Sequence, residues 1–422
     1  DPDDEAIALA IDQPGVQLWL DTDVSFTTPR ANIAIELAVP GGLVSLRDTS
    51  MASLFARLVN DELTQSTYPA LLAGLGYQLG ATASGFGIRI SGYNDKQSEF
   101  LAFVLDQLLT VPLAESRFNS IKQSLMRDLE NAAKDKPYSQ TLTALNNTLL
   151  STSWPAQEQA ALLADLTLAD LNTWRSQQFK RIGVRGGLHG NVNTEDAEAL
   201  AELLTTLLPL DRVDRTRPTV QQLTQSADID LAVDHNDAAL LLSVQDPDDS
   251  FASRAKSALA GQLLRSPFFS SLRTDQQLGY VVSAGIRSMD TQSGNLFLVQ
   301  SPSAGGARLE NAVIEFLQAY IAQWDDMSEA AFEQQKAGLM TRLLEKDKNL
   351  NQRSQRYWQN LAEENYAFNT NQQIAALVEA LTKDEMKAFL EGLSQRVVSQ
   401  RLLIFSDGAF KEAARPATAS AS

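Results

Sequence analysis

The feature that most constrains this chain is that it repeats itself. RFNSIKQSLMRDLE, from Arg117 to Glu130, resembles AFEQQKAGLMTRLLE, from Ala331 to Glu345. Phe118 pairs with Phe332, Lys122 with Lys336, Leu125 with Leu339 and Met126 with Met340, each at an offset of 214 residues. LTLADLNTW from Leu166 resembles LTKDEMKAF from Leu381 at an offset of 215, and LGY at Leu75 resembles LGY at Leu278 at 203. Solenoid repeats have periods of about 20–50 residues, so a period this long duplicates a whole domain. A length of 422 residues suits two domains.

Both copies follow one coarse order. Ile33, Ile35, Leu37 and Val39 alternate with smaller or polar residues, the period of a half-buried strand; Ala239 to Val244 is the counterpart. A helix follows, Ser50 to Leu63 in one copy and Phe251 to Leu264 in the other. Then comes LGY and a hairpin-like strand pair, with Phe86, Ile88 and Ile90 alternating in the first copy and Leu296 to Val299 in the second. Two long helices come next. Phe118, Ile121, Leu125 and Leu129 share a helical face, as do Phe332, Leu339, Leu343 and Leu344. A short helix and a β-rich run, Ile182 to Leu188 or Arg401 to Phe405, close each copy. The fold class expected is α+β: two homologous αβ domains, each an antiparallel-rich sheet with helices packed on one face.

LPLDRVDRTRPTV, Leu208 to Val220, has two prolines and five charged residues without apolar periodicity. The expected division is a first repeat at 1–207, a linker at 208–220, a second repeat at 221–411 and a disordered tail at 412–422, where the low-complexity ARPATASAS begins at Ala414. The start, DPDDEAIALA, lacks the basic and apolar regions of a secretory leader, which fits numbering that begins inside a longer precursor.

Charge and residue types then exclude whole classes of chemistry. The net charge of −17 opposes nucleic-acid or anionic-lipid partners, and no apolar run reaches the roughly 20 residues of a membrane span. With no cysteine, disulfides, thiolate nucleophiles and cysteine-ligated zinc are excluded. The two histidines, His189 and His235, have no metal-ligand spacing between them. His189 reads as a structural histidine at a strand end. The DHND cluster, Asp234 to Asp237, reads as a polar turn before an apolar strand. There is no G-x-S-x-G elbow and no phosphate-loop pattern. No metal site is expected.

FFSSLRTDQQLGYVV, Phe268 to Val282, is the informative segment. Arg273 and Tyr280 are seven residues apart, two helical turns, and could project from one face; from composition alone, a surface arginine and an amphipathic tyrosine are the more ordinary explanation.

Here the sequence resembles the insulinase-like zinc peptidases, the M16 group of insulysin and pitrilysin (LuxS-metallohydrolase-like in fold). Their second half carries F-x-x-L-R-T-x-x-Q-L-G-Y-x-V and, some twenty residues later, V-Q-S. The matching residues are Phe269, Leu272, Arg273, Thr274, Gln277, Leu278, Gly279, Tyr280 and Val282, then Val299, Gln300 and Ser301. PRANI (Pro29 to Ile33), YPALLAGLGYQL (Tyr68 to Leu79), SGYNDK (Ser91 to Lys96) and LHGN (Leu188 to Asn191) extend the resemblance over about residues 14–410.

The resemblance implies four αβ domains in two halves, of which this chain matches domains three and four. The other half carries H-x-x-E-H and zinc, so the chain is expected to hold no cofactor, to be inactive alone and to need the amino-terminal catalytic half, on the same polypeptide or a partner. It also implies that the two halves enclose a peptide substrate. Arg273 would contact a substrate carbonyl, Tyr280 the developing oxyanion, and Phe269, Thr274 and Gln277 the bound peptide. Bacterial relatives of pitrilysin type are often periplasmic; a cytoplasmic location stays open. The alternative is an inactive peptide-binding or scaffold protein of the same fold.

Overall fold

The computed structural model describes residues 7–410. The acidic start and the tail expected at 412–422 lie outside the described residues.

Two sheets organise the chain. The first contains β1 (Ala8–Gln13), β2 (Val16–Thr22), β3 (Arg30–Ala38), β4 (Leu75–Ala81), β5 (Gly85–Tyr93) and β6 (Gly183–Gly190), in the order β1-β2-β6-β3-β5-β4. The second contains β7 (Ala227–Asp230), β8 (Ala238–Gln245), β9 (Val281–Ile286), β10 (Gly294–Ser301) and β11 (Leu402–Ser406), in the order β7-β11-β8-β10-β9. The repeat is visible in the topology. In both sheets the last strand lies beside the first long one, followed by the second and then the first strand of the hairpin. Neighbours are antiparallel except β2–β6 and β7–β11.

One face of each sheet carries most of the helices, as the α+β pattern expects. Ile33, Ile35 and Leu37 of β3 pack against Met51, Leu54, Phe55 and Leu58 of the helix Leu46–Ser66. Ser45 caps that helix by accepting from the Asp48 N–H. In the second sheet Leu240, Leu242 and Val244 of β8 meet Leu259, Leu263 and Leu264 of the helix Phe251–Phe269, which Ser250 caps. Phe118 and Leu125 are buried on the helix Glu115–Ala132, as are Phe332 and Leu339 on Glu329–Leu343. Leu344 falls past the end of its helix and is exposed.

The opposite faces are covered by an exchange. One compact unit comprises residues through Glu130, Trp154–Thr219 and Lys346–Phe368; the other comprises Asn131–Ser153, Val220–Glu345 and the residues from Asn369 on. The helix Pro137–Leu149, from the first repeat, lays Leu145 and Leu149 on Leu241, Leu298, Leu402 and Ile404 of the second sheet. The helix Leu350–Ala362, from the second repeat, lays Tyr357, Trp358 and Leu361 on Trp19 and Ala34 of the first. Gly187 of β6 makes room for it, since a Cβ there would lie 2.6 Å from the Trp358 ring. The units are therefore discontinuous, where the repeat by itself suggests sequential segments at 1–207 and 221–411. Amphipathicity tells that a helix packs, not on which sheet.

Candidate functional site

The segment singled out by sequence lies in the second unit, between the helix Phe251–Phe269 and β9. The helix contains Pro267, which cannot donate to the helical ladder. The following turn widens into a π-helical stretch, Ser270–Asp275, with Gln276 N–H bonded to Ser271 O at 3.0 Å. Such single π turns recur at functional sites. Leu272 and Leu278 are buried and pin the turn, and Leu278 N–H bonds Leu272 O at 2.9 Å. Gln277 takes a left-handed conformation, φ 52°. Gly279 passes so close to β10 that a Cβ would lie 2.1 Å from Gln300 O.

Arg273 and Tyr280 do not share a helix face, because the helical turns stop at Asp275. They meet by a different route. The Arg273 guanidinium stacks over the Phe269 ring, 5.3 Å from its centroid, and its Nη1 donates to the Tyr280 carbonyl. Phe269, Arg273 and Tyr280 are thus one cluster, exposed on the surface of the unit. Thr274 and Gln277 are exposed on the same turn.

The Tyr280 hydroxyl is held by residues to which sequence reasoning gave no role. It donates to Asp237 Oδ2 at 2.9 Å. Gln300 Nε2 donates to the same Asp237 Oδ2 at 2.9 Å and to the phenol oxygen. Gln300 is fully buried, and its Oε1 accepts the Tyr138 N–H at 3.2 Å. Burial and the adjacent Asp237 carboxylate push the Tyr280 phenol above its ordinary range. The phenol is therefore neutral at pH 7 and able to donate. Asp237 is the last acid of DHND, and its signal was lost in an ordinary turn reading. Its own N–H bonds His235 Nδ1 at 2.9 Å.

In the other unit, His189 of β6 joins a buried polar cluster. Its Nδ1 lies 2.7 Å from Ser354 Oγ, and its Nε2 faces Asp21 Oδ2 at 3.4 Å. Tyr357 donates to that same oxygen at 2.8 Å. Asn32 Nδ2 donates to Ser354 Oγ at 2.8 Å and to Asn351 Oδ1 at 2.9 Å. The residue types are those of a hydrolytic triad, but Ser354 meets the wrong imidazole nitrogen and both it and His189 are buried. No substrate reaches them. Burial depresses the His189 pKa to about 4, against the pull of neighbouring Asp23.

Neither histidine fits a zinc site. Among the described residues no three His, Asp or Glu side chains are grouped to hold a metal ion. Nor is any described helix long and apolar enough to cross a membrane.

A family model described as the middle or third domain of peptidase M16 matches residues 2–162. One described as PQQ synthase PqqF-like, C-terminal lobe domain 4, matches residues 259–358. Insulin-degrading enzyme from Homo sapiens is 29% identical over 394 residues, 90% of this chain and 38% of the relative. A nardilysin-like protein from Arabidopsis thaliana is 25% identical over 387 residues, 89% of this chain and 38% of that one. The chain thus spans well under half the length of these relatives. The crystal structure of pitrilysin superposes with a TM-score of 0.88 at 22% identity, covering 97% of this chain and 44% of pitrilysin. A peptidase M16 inactive domain from Pseudomonas fluorescens superposes with a TM-score of 0.71 at 14% identity, covering 93% of this chain and 95% of that one.

Proposed function

Because this chain belongs to the peptidase M16 family, in the portion that forms the carboxyl-terminal half of its relatives, we propose that it is the zinc-free half of an insulinase-like metalloendopeptidase. It encloses peptide substrate and presents Arg273 and Tyr280 to an active site carried by the amino-terminal half. Zinc belongs to that half, with its H-x-x-E-H.

The observation that carries this reading is the Tyr280 hydroxyl. It is a neutral donor, fixed by two side chains, on an exposed cluster with a guanidinium beside it. Oxyanion stabilisation requires donors fixed before the charge develops. Arg273 adds a permanent positive charge suited to a polarised carbonyl. The roles divide accordingly: Tyr280 donates to the oxyanion, Arg273 contacts a substrate carbonyl, and Phe269, Thr274 and Gln277 line the peptide's path.

The test is reconstitution. The chain is mixed with a half bearing H-x-x-E-H, and turnover of a fluorogenic peptide is followed. Tyr280→Phe is expected to lower kcat by about 100- to 1,000-fold, the worth of one oxyanion donor, with an unchanged circular dichroism spectrum. Undiminished turnover rejects the reading.

A peptide-binding or scaffold role is the second reading. The likeness to an M16 inactive domain over 95% of that domain's length favours it. Tight peptide binding by this chain without the other half would select it.

A further inference from the structure

A phenol has one proton and donates once. Here Gln300 fixes which acceptor receives it. The carboxamide oxygen of Gln300 is taken by the Tyr138 N–H, so the Nε2 end faces Asp237 and Tyr280. An amide NH2 only donates, and it donates to both. The Tyr280 proton therefore goes to Asp237 Oδ2, and a substrate must draw it away from a carboxylate.

We propose that Asp237 is a positioning residue that holds the Tyr280 proton in reserve, yielding it to the anion that develops during peptide attack and not to the neutral carbonyl of the bound peptide. The proposal rests on the reading of Tyr280 as an oxyanion donor. Its physical basis is a ranking of acceptors. A hydrogen bond to a charged oxygen is roughly twice as strong as one to a neutral oxygen, so the ground-state carbonyl loses to Asp237. The oxyanion, charged and more basic than a carboxylate, draws the proton from Asp237. The exchange makes the Tyr280 bond specific to the transition state, which favours kcat over tight substrate binding. Gln300 keeps one bond to Asp237 and one to the phenol oxygen throughout, so neither is stranded when the proton turns. Tyr138 and His235 are the other titratable neighbours of this pair; neither accepts the Tyr280 proton.

Two measurements test this, one without catalysis. In the full chain labelled with ζ-carbon-13 tyrosine, the Tyr280 resonance is assigned by its loss in Tyr280→Phe. Asp237→Asn is expected to bring its titration to lower pH; an unmoved titration overturns the proposal. In the reconstituted enzyme, Asp237→Asn, whose amide oxygen is a weaker acceptor, is expected to raise kcat by about 3- to 10-fold, the difference between a charged and a neutral acceptor, with KM little changed. That effect must vanish in the Tyr280→Phe background. Unchanged constants, a loss as deep as that of Tyr280→Phe, or an effect that persists without the hydroxyl overturns the proposal. Asp237→Ser, which keeps turn propensity, repeats both measurements should the asparagine variant fold poorly. Full turnover by Tyr280→Phe would instead reject the underlying reading, and the resonance measurement would remain as the separate record of the Asp237 bond.

Discussion

His189 Nδ1 and Ser354 Oγ lie 2.7 Å apart, joining the last strand of the first sheet to a helix that the sequence places in the second repeat. The bond is wholly buried. Burial holds the imidazole neutral, driving its pKa to about 4.

Acid should therefore loosen this unit. The folded pKa of about 4 lies below the ordinary 6.5, so the unfolded chain binds more protons between those values. The stability that neutral His189 preserves is complete above pH 6.5 and is lost as pH falls toward 4, by about 3 kcal/mol in all. Urea midpoints measured from pH 7 to pH 4 should fall less steeply in His189→Gln than in the parent chain. Parallel curves would show that other groups govern the acid response.

The exchanged helices predict fragment behaviour. Residues 221–422 alone lack the helix Pro137–Leu149 and leave Leu241, Leu298, Leu402 and Ile404 without their cover. That fragment should expose apolar surface and bind a hydrophobic dye, and a peptide of residues 131–153 should suppress the binding. A fragment that is native-like without the peptide would contradict the assignment of this helix to the second unit.

Trp358 covers the corresponding face of the first sheet. Trp358→Ala should cost about 3–5 kcal/mol, the range for a large buried aromatic, read as a lower denaturant midpoint. A loss under 1 kcal/mol would mean the sheet face tolerates exposure.

Gly279→Ala probes the site through the backbone. Its new Cβ would fall 2.1 Å from Gln300 O, so the turn must move and carry Tyr280 with it. Peptide turnover in the reconstituted enzyme should drop at least as far as in Tyr280→Phe, while the denaturant midpoint changes modestly. Parent-level turnover would show that Tyr280 needs no such placement.

Much of the fold was legible because the repeat reports it twice. The alternation of Ile33, Ile35 and Leu37 and the apolar run from Ala239 to Val244 both gave strands facing a helical layer. The helix exchange was not legible. The apolar stripe of Pro137–Leu149 matches either sheet, and only tertiary packing chooses. Within the candidate site, Arg273, Tyr280 and Phe269 were reached by motif, and the structure joins them. Their geometry was hidden, because seven-residue spacing implies a shared helix face, and the helical turns end at Asp275, before Tyr280. Asp237 was hidden more thoroughly. It lies 43 residues before Tyr280, and nothing in DHND distinguishes a partner of a phenol from a turn carboxylate.

The exchange of helices also sets a timetable for synthesis. β6 ends at Gly190, but the helix that covers its outer face runs to Ala362. At about 5–20 residues per second, the nascent first sheet waits roughly 10–35 s on the ribosome with one apolar side open. During that interval it is a client for any chaperone that reads exposed tryptophan and isoleucine. The same wiring means that a gene split at the linker would produce two products, each missing a piece encoded by the other.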